Sequence, residues 1–233
     1  MKKHLVALLS IALLLPACAF NGVTTSKSIH VANRMESSTI LMHIKIHLHA
    51  ETEDGVIDKS GWGSCSGVYI KDNIILSAAH CVEPLDEDIT IKEIWIKHGD
   101  VSERAVPVIV DPKADLALLY TPLKGTPIHF ADKVVRGEDC WIIGNPLGLV
   151  DTITKGIVSQ INLKQKHEKA SYTIVDAVAL PGNSGGAVVD SNCNLIGILT
   201  RGTSMLGSFG AAGLGIAVDI ATVKAFLAEH NLK

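Results

Sequence analysis

The chain has 233 residues, with 21 lysines and arginines against 24 aspartates and glutamates, which gives a formal net charge of −3. A charge this small, with no basic stripe or aromatic platform, argues against a nucleic-acid partner. The length suffices for one two-lobed domain with a hydrophobic core, and it is too short for a second module.

The first segment has the pattern of an export signal over residues 1–19. A basic start precedes residues 5–15, an apolar run too short to span a bilayer comfortably, and small residues follow at 17–19. Two processing routes remain open. Cleavage before Phe20 fits an ordinary secretory signal, whereas a lipoprotein signal would lipidate Cys18 and anchor the chain to the membrane. We therefore expect an exported protein that is periplasmic, lipid-anchored to the cell envelope, or secreted.

After an N-terminal extension over residues 20–36, the chain has the pattern of an all-β protein. Residues 42–50 alternate apolar and polar side chains, which predicts a half-buried strand. Further β-branched runs occupy residues 68–70, 74–76, 91–97, 106–110, 116–120, 141–143, 153–160, 172–177, 187–189, 195–200 and 215–218. Many short strands between Gly, Pro and Asn turns predict a barrel or sandwich. Asp219 begins a helical pattern that predicts a closing helix over 219–231.

Prolines and a glycine interrupt the strand pattern over residues 121–133. This break divides the chain into a first lobe at about residues 37–123 and a second at about 134–218. A catalytic site shared by the two lobes would lie in the cleft between them.

Three histidines, His43, His47 and His49, alternate along the first predicted strand. Alternate residues on a strand face can converge on zinc, but no carboxylate or cysteine lies at a matching spacing in the sequence. An exposed strand face explains these histidines equally well. We therefore expect neither a metal nor a cofactor.

Three short strings contain a serine nucleophile and the groups that activate it. SAAHC at residues 77–81 contains His80, ADLAL contains Asp115, and GNSGG contains Ser184. A serine hydroxyl is a weak nucleophile unless a histidine takes its proton and a carboxylate orients that histidine. The oxyanion formed by attack needs two N–H donors on a tight backbone, which Gly182 and Ser184 would supply with Asn183 between them. Each string alone is more typical of a structural residue in a turn, a cap or the core, but together the three strings indicate a serine peptidase.

The GNSGG string also fits the nucleophile turn of α/β-hydrolases, which would make the chain an esterase or lipase. In that fold the acid and the histidine follow the serine along the chain. Here His80 and Asp115 precede Ser184, so the chain order favours the peptidase.

These strings make the chain similar to the trypsin/chymotrypsin-like serine peptidases. The resemblance to the HtrA (DegP-like) branch is closest, through GNPLG, KGIVS, DAVALPGNSGG and GLGIAV at residues 144–148, 155–159, 176–186 and 213–218. It implies an all-β fold of two six-stranded antiparallel β-barrels with a C-terminal helix. Because the sequence leaves no residues after 233 for the PDZ domain of that branch, we expect a stand-alone protease domain over 37–233. It also implies a triad of His80, Asp115 and Ser184. Asn183 replaces the Asp found before the nucleophile in the pancreatic branch, so activation by that branch's zymogen cleavage is not expected.

Setting Cys18 aside, four cysteines remain, an even set suited to an oxidising compartment. A disulfide between Cys65 and Cys81 would join the strand that enters the site to the histidine turn, and the resemblance implies the same bridge. Cys140 and Cys193 would then pair in the second lobe. Free buried thiols remain the alternative for both pairs.

The resemblance implies that a polypeptide substrate adds as a strand along residues 199–202, with its P1 side chain in a pocket from the second lobe. No acid stands in the pocket region, so small or medium aliphatic P1 residues are expected.

The expected function is an exported serine endopeptidase acting through an acyl-enzyme. The alternative is a regulated or idle trypsin-like fold that binds polypeptide as a chaperone or adaptor. The residues expected to bind substrate are Val178, Leu180, Leu199, Thr200, Arg201, Gly202 and Gly215.

Overall fold

The computed structural model describes residues 26–53, 55–84, 86–164, 169–202 and 213–232, so the signal segment and Cys18 lie outside the described residues. Helix α1 is Lys27–Met35 and helix α2 is Ile220–Glu229. The strands in chain order are β1 Thr39–Thr52, β2 Gly55–Lys71, β3 Ile74–Ser77, β4 Ile89–His98, β5 Val101–Asp111, β6 Leu116–Tyr120, β7 His129–Phe130, β8 Asp139–Gly144, β9 Thr152–Lys164, β10 Ser171–Val175, β11 Ala187–Val189, β12 Asn194–Gly202 and β13 Gly215–Asp219.

The first barrel closes in the order β1-β2-β3-β6-β5-β4. Its interior follows from the period of two along β1, where Ile40, Met42 and Ile44 are buried together with Tyr69 and Ile96. Burial raises the pKa of the Tyr69 hydroxyl to about 12. β1 and β2 form a long hairpin that pairs from Thr39 with Val68 out to Thr52 with Gly55. The outer part of this hairpin extends beyond the packed interior, because the first six residues of β2 are all exposed.

The second barrel runs in the order β11-β8-β9-β10-β13-β12 and closes through pairing of β11 with β12. The short β7 adds to the outside of this ring by pairing in parallel with β12. Ile142, Val158, Val175, Val188 and Ile196 fill the interior. The two six-stranded antiparallel barrels confirm the predicted fold class.

A further apolar cluster joins the two barrels and both helices. Leu76 and Leu118 come from the first barrel, Trp141 and Leu195 from the second, and Val223 from α2. Such shared burial fixes how the barrels dock, because separating them would expose this apolar surface to water.

Both helices have N-terminal caps and pack on this cluster. In α1, which the sequence pattern did not predict, the Ser26 side chain accepts a hydrogen bond from the Ile29 N–H at 3.3 Å, and Val31 and Met35 are buried. In α2, Asp219 accepts from the Thr222 N–H at 2.8 Å, as its sequence predicted. Neither helix in the described part of the chain has the length and apolar character needed to span a bilayer.

At Gly156 the backbone of β9 lies very close to the backbone at Asp176. A Cβ at this position of β9 would lie 1.6 Å from the Asp176 carbonyl oxygen. We expect Gly156→Ala to lower the free energy of unfolding by about 3 kcal/mol, because the two backbones must move apart. Urea unfolding of purified protein measures this change.

Gly61→Ala in β2 is the matched control, since the nearest atom to its added Cβ is Ile46 Cγ1 at 3.9 Å. Its free energy of unfolding should stay within about 1 kcal/mol of wild type. Equal destabilisation by both variants would show that the close approach at Gly156 is not the cause.

Candidate active site

His80 and Asp115 meet at one end of the first barrel, although 35 positions separate them in the chain. His80 lies in a single 3-10 turn, Ala79–Cys81, just after β3, and Asp115 lies just before β6. Because β3 pairs with β6, the end of one strand faces the start of the other. His80 Nδ1 lies 3.0 Å from each Asp115 carboxylate oxygen, and the His80 backbone N–H donates to Oδ1 at 3.0 Å.

This pairing prepares the imidazole to act as a base. With the Nδ1 proton held by Asp115, the Nε2 lone pair is the free acceptor of the ring. Asp115 has a positive φ of 53°, and its left-handed backbone turns the carboxylate toward the histidine. The side chains of His80 and Asp115 are 28% and 21% exposed, so the pair is only partly screened by water.

Asp115 stays ionised despite its burial. Burial alone would raise the pKa of its carboxyl, but the hydrogen bond and charge of His80 and the hydrogen bond from Thr200 outweigh it, so the pKa lies below the ordinary aspartate value. The Thr200 hydroxyl donates to Asp115 Oδ2. Thr200 is 4% exposed, so this bond is shielded from water.

Ser184 reaches the same place from the second barrel, in the loop before β11. Its hydroxyl donates to the Thr200 carbonyl at 3.2 Å. Thr200 therefore contacts both neighbours: its side chain bonds Asp115 and its backbone bonds Ser184. Within the described residues, the partner of the Ser184 hydroxyl is this carbonyl and not His80.

The loop before Ser184 presents two free N–H groups. The Pro181 carbonyl accepts from the Leu147 N–H at 2.8 Å, so the Gly182 N–H of the same trans peptide points the opposite way. The Asn183 carbonyl accepts a hydrogen bond from the Gly186 N–H at 2.9 Å, so the Ser184 N–H of the same peptide points away from the loop. Neither N–H has an acceptor among the described residues. The positive φ of 99° at Gly182 suits a residue without a Cβ.

Ser66 of β2, which is fully buried, fixes this loop against the first barrel. Its N–H donates to the Ser184 carbonyl at 2.8 Å, and its hydroxyl donates to the Gly182 carbonyl at 2.8 Å. The Ser66 hydroxyl also accepts from the Asn145 N–H at 2.8 Å. The loop approaches so closely that a Cβ on Gly185 would lie 2.2 Å from the Ser66 carbonyl oxygen.

The family model for the trypsin-like peptidase domain matches residues 65–198. The chain belongs to this family. The stretch includes His80, Asp115 and Ser184, whose convergence has just been described.

Individual relatives lie in the HtrA group. A Haemophilus influenzae protein named "probable periplasmic serine protease do/HhoA-like" is 36% identical over 166 residues, covering 67% of this chain and 34% of the relative. The serine protease HTRA1 of Xenopus tropicalis is 32% identical over 180 residues, covering 72% of this chain and 36% of the relative. The chain thus spans about a third of the length of the curated relatives it matches.

Solved structures show the same fold. The HtrA-type protease AlgW with a decapeptide superposes with a TM-score of 0.72 at 25% identity, and the alignment covers 89% of this chain and 68% of that one. This trypsin-like domain therefore shares its double-barrel architecture with a protease whose structure contains a bound peptide.

One predicted disulfide is confirmed and the other is wrong. Cys65 and Cys81 are bonded, which joins β2 to the turn that carries His80. Cys140 and Cys193 are free and buried. They do not meet because they pack in different clusters: Cys140 of β8 lies inside the second barrel, while Cys193, in the turn before β12, belongs to the cluster between the barrels. Burial, followed by nearby carboxylates, raises the pKa of the Cys140 thiol to about 12, so it remains protonated.

Two residues predicted to bind substrate have different contacts in this trypsin-like domain. Leu199 is 1% exposed, its N–H donates to the Gly186 carbonyl, and its carbonyl accepts from the Gly185 N–H. With both backbone groups occupied, Leu199 holds the nucleophile loop, and its assignment to a substrate strand is corrected. The Thr200 hydroxyl likewise donates to Asp115, and its backbone carbonyl accepts from the Ser184 hydroxyl.

The other predicted substrate residues lie around the nucleophile loop. Val178 and Leu180 are 41% and 39% exposed. Gly202 of β12 pairs with Gly215 of β13 at the end of the ladder. The Arg201 guanidinium lies over the Tyr172 ring, with its carbon 5.2 Å from the ring centre. Val178 and Leu180 thus precede Ser184 closely in the chain, while Arg201, Gly202 and Gly215 lie at the ends of β12 and β13.

An opening beside His80 was not predicted from the sequence. It is a cavity of about 200 Å³ between the hairpin and the start of β4, and the Cys65–Cys81 disulfide forms part of its wall. Its apolar lining comes from Ile44, Ile46, Pro84, Ile89 and Ile91. No local pattern indicated it, because the strands that form it are distant in the chain.

The supporting residues Ser66 and Asn145 were also missed. Asn145 belongs to the GNPLG string that carries the family resemblance, which was the available signal, but its partners could not be predicted from spacing. Its side-chain NH₂ donates to the Ile40 carbonyl at 2.8 Å, and its Oδ1 accepts from the Asp151 N–H at 3.1 Å. The bond to Ile40 crosses between the barrels, whereas the bond from Asp151 lies within the second lobe, and only the assembled fold shows the first.

Thr200→Val removes a hydrogen bond that lowers the pKa of Asp115. We expect the free energy of unfolding at pH 7 to fall by about 2 kcal/mol, the typical value of a hydrogen bond to a charged group. A carboxylate with a lowered folded-state pKa stabilises the fold above its unfolded pKa of about 4, and this contribution is lost as the pH falls through the folded pKa. The difference between variant and wild type should therefore be largest above about pH 4 and shrink in acid.

Thermal or urea unfolding from pH 2 to 8 measures this dependence. Thr200→Ser is the matched control, because it retains the hydroxyl and should follow the wild-type profile. A constant difference between Thr200→Val and wild type across this pH range would contradict the assigned role of the Thr200 hydroxyl.

Proposed function

We propose that this chain is an exported serine endopeptidase that uses His80, Asp115 and Ser184 as its catalytic triad. The observation that carries the proposal is the meeting of the His80–Asp115 pair and the Ser184 hydroxyl at Thr200, beside two free backbone N–H groups. A nucleophile, a base, an orienting carboxylate and oxyanion donors are the parts that acyl transfer requires.

The proposed acylation step follows from this geometry. Ser184 Oγ attacks the substrate carbonyl while His80 Nε2 takes its proton, and Asp115 stabilises the imidazolium without becoming protonated. The oxyanion accepts hydrogen bonds from the N–H groups of Gly182 and Ser184, and removal of one such donor typically costs about a hundredfold to a thousandfold in rate. His80 then gives its proton to the leaving amine, which leaves an acyl group on Ser184.

Deacylation reverses these roles with water. His80 takes a proton from a water molecule as that water attacks the acyl carbon, and the same N–H donors hold the second oxyanion. Collapse of this intermediate breaks the bond to Ser184 Oγ, which recovers its proton from His80. The product carboxylate leaves, and the enzyme returns to its starting state.

The lowered pKa of Asp115 supports its proposed role. A carboxylate that is ionised through the neutral range can hold the Nδ1 proton throughout the cycle. The Ser184 hydroxyl must turn from the Thr200 carbonyl toward His80 Nε2 before attack, and such bonds commonly tighten only when substrate binds.

That same bond supports a second candidate, a regulated or idle trypsin-like fold that binds polypeptide as a chaperone or adaptor. Leu147 and Leu149, which are 69% and 63% exposed, lie in the segment that bonds the nucleophile loop. A bound partner or peptide covering these side chains would be able to order the loop and release Ser184 from Thr200.

A fluorophosphonate probe tests the proposal and separates the two candidates. We expect covalent labelling of the native chain and loss of labelling in Ser184→Ala, with Ser191→Ala, in the turn after β11, labelled as native. Absence of labelling on native protein with and without an added aliphatic peptide would contradict the endopeptidase. Labelling that appears only after the peptide is added would identify the regulated form, since a constitutive site can only be blocked by competition.

We further propose cleavage after small or medium aliphatic residues. The exposed Val178 and Leu180, which lie shortly before Ser184 in the chain, support this preference, since they offer apolar contact to the P1 side chain. A peptide library should therefore give a kcat/KM for Val or Ala at P1 at least tenfold above that for Arg or Glu, because burial of an unpaired charge is costly. A profile led by Arg, Lys or Glu would reject this specificity.

The proposed location is the periplasm. The signal pattern over residues 1–19 supports export, the Cys65–Cys81 disulfide is compatible with an oxidising compartment, and the name of the Haemophilus influenzae relative includes that compartment. Lipid attachment through Cys18 belongs to this proposal as one route of membrane association.

A further inference from the structure

The outer part of the β1–β2 hairpin brings two histidines and an aspartate together. His47 and His49 lie on one face of β1, where they pair in register with Ser60 and Asp58 of β2. His49 Nδ1 lies 3.2 Å from Asp58 Oδ2, and His47 Nε2 lies 3.5 Å from Asp58 Oδ1. Three potential metal ligands are thus assembled outside the active site, all within 4.8 Å of one another.

The separations suit a tetrahedral zinc-type ion. Ligand atoms about 2.0–2.1 Å from such an ion lie about 3.3 Å from each other. The two histidine nitrogens lie 3.2 and 3.5 Å from the two different oxygens of Asp58, close to this value, and all three ligand groups lie within 4.8 Å of one another. Two imidazole nitrogens and a carboxylate oxygen are also a known donor set for zinc, with water in the fourth position.

Ser60 supplies the orienting contact that such sites use. Its hydroxyl lies 3.2 Å from His47 Nδ1, and donation of the Nδ1 proton to this oxygen leaves the Nε2 lone pair facing Asp58. A bare lone pair and a carboxylate oxygen repel each other unless a proton or a cation lies between them. In the tautomer with the proton on Nδ1, a cation bound between Nε2 and Asp58 would satisfy both groups.

No metal was expected from the sequence alone, because no carboxylate lies at a matching spacing along β1. The hairpin register overcomes this by bringing Asp58 opposite His49. We propose that His47, His49 and Asp58 bind one divalent transition-metal ion of the zinc type. The ion would link β1 to β2 where Gly55–Ser60 makes no buried contact, and so would hold the outer hairpin together.

Isothermal titration of the untagged full-length chain with zinc chloride tests the proposal. We expect one ion bound per chain and a melting temperature that rises by several degrees when zinc is added. His49→Gln should weaken binding by at least about a hundredfold, and Ser60→Ala by about tenfold, because the latter removes only an orienting contact. These residues are on an exposed hairpin, and circular dichroism confirms that the variants fold.

His43→Gln is the matched control. His43 lies on the same face of β1 but packs edge-on against Trp62, with ring centres 6.5 Å apart, and is not part of the ligand cluster. Its zinc affinity should equal that of wild type. Equal zinc binding by His49→Gln and wild type, or an equal loss in His43→Gln, would overturn the site.

Cobalt(II) gives an independent readout of coordination. A tetrahedral site of nitrogen and oxygen ligands produces visible absorption bands when cobalt replaces zinc, and Asp58→Asn should abolish them. Bands that persist in Asp58→Asn, or that vanish in His80→Ala while remaining in His49→Gln, would place the ion elsewhere and contradict the proposal.

Discussion

The hydrogen bonds of Ser66 to the nucleophile loop are the constraint on which the site depends. This serine belongs to the first barrel, while the Gly182 and Ser184 carbonyls that it bonds belong to the second. Each bond contributes only about 1 kcal/mol net, but a buried group left without its partner costs about 1–3 kcal/mol. Because Ser66 is fully buried, a shift of one barrel against the other would strand several polar groups at once. The docking of the barrels is thus tied to the shape of the loop.

Each barrel stabilises a reactive group of the other. The first barrel supplies Ser66 to the loop that carries Ser184, and the second supplies Thr200 to Asp115. Neither barrel alone contains a complete site, although each has its own hydrophobic interior. The shared cluster around Trp141 provides the apolar contact that holds the two halves at a fixed distance, and the polar contacts fix their register.

The elements predicted well from sequence are those with a strong local pattern. Residues 42–50 alternate strictly and lie within β1, and Asp219 caps α2 as predicted. Helix α1 was not predicted from the sequence, although Ser26 precedes it as a good cap. The outer half of β2 was missed because its polar residues form a strand only through pairing with β1.

The sequence predicts the residues of the proposed triad but not the residues that contact and support them. His80, Asp115 and Ser184 stand in recognisable strings, whereas Ser66 is one of many serines and its role arises from contacts across 116 positions. The Cys140–Cys193 pairing failed for a related reason. Successive residues of a strand face opposite sides, so Cys140 packs inside the second barrel while Trp141 packs in the cluster that contains Cys193. Spacing along the chain does not reveal that the Cys140 and Cys193 thiols lie in separate clusters.

The two enclosed thiols also determine how oxidation can proceed. Four cysteines allow three complete pairings in an unfolded chain. Among the cysteines that the structure describes, only Cys65 and Cys81 are close enough in space to bond. Cys140 and Cys193 are separated from each other and buried away from solvent. A chain that folds before it meets an oxidant therefore closes the correct bridge, whereas one oxidised first risks cross-links that trap it in misfolded forms. We therefore expect the yield of native protein to depend on whether folding precedes oxidation.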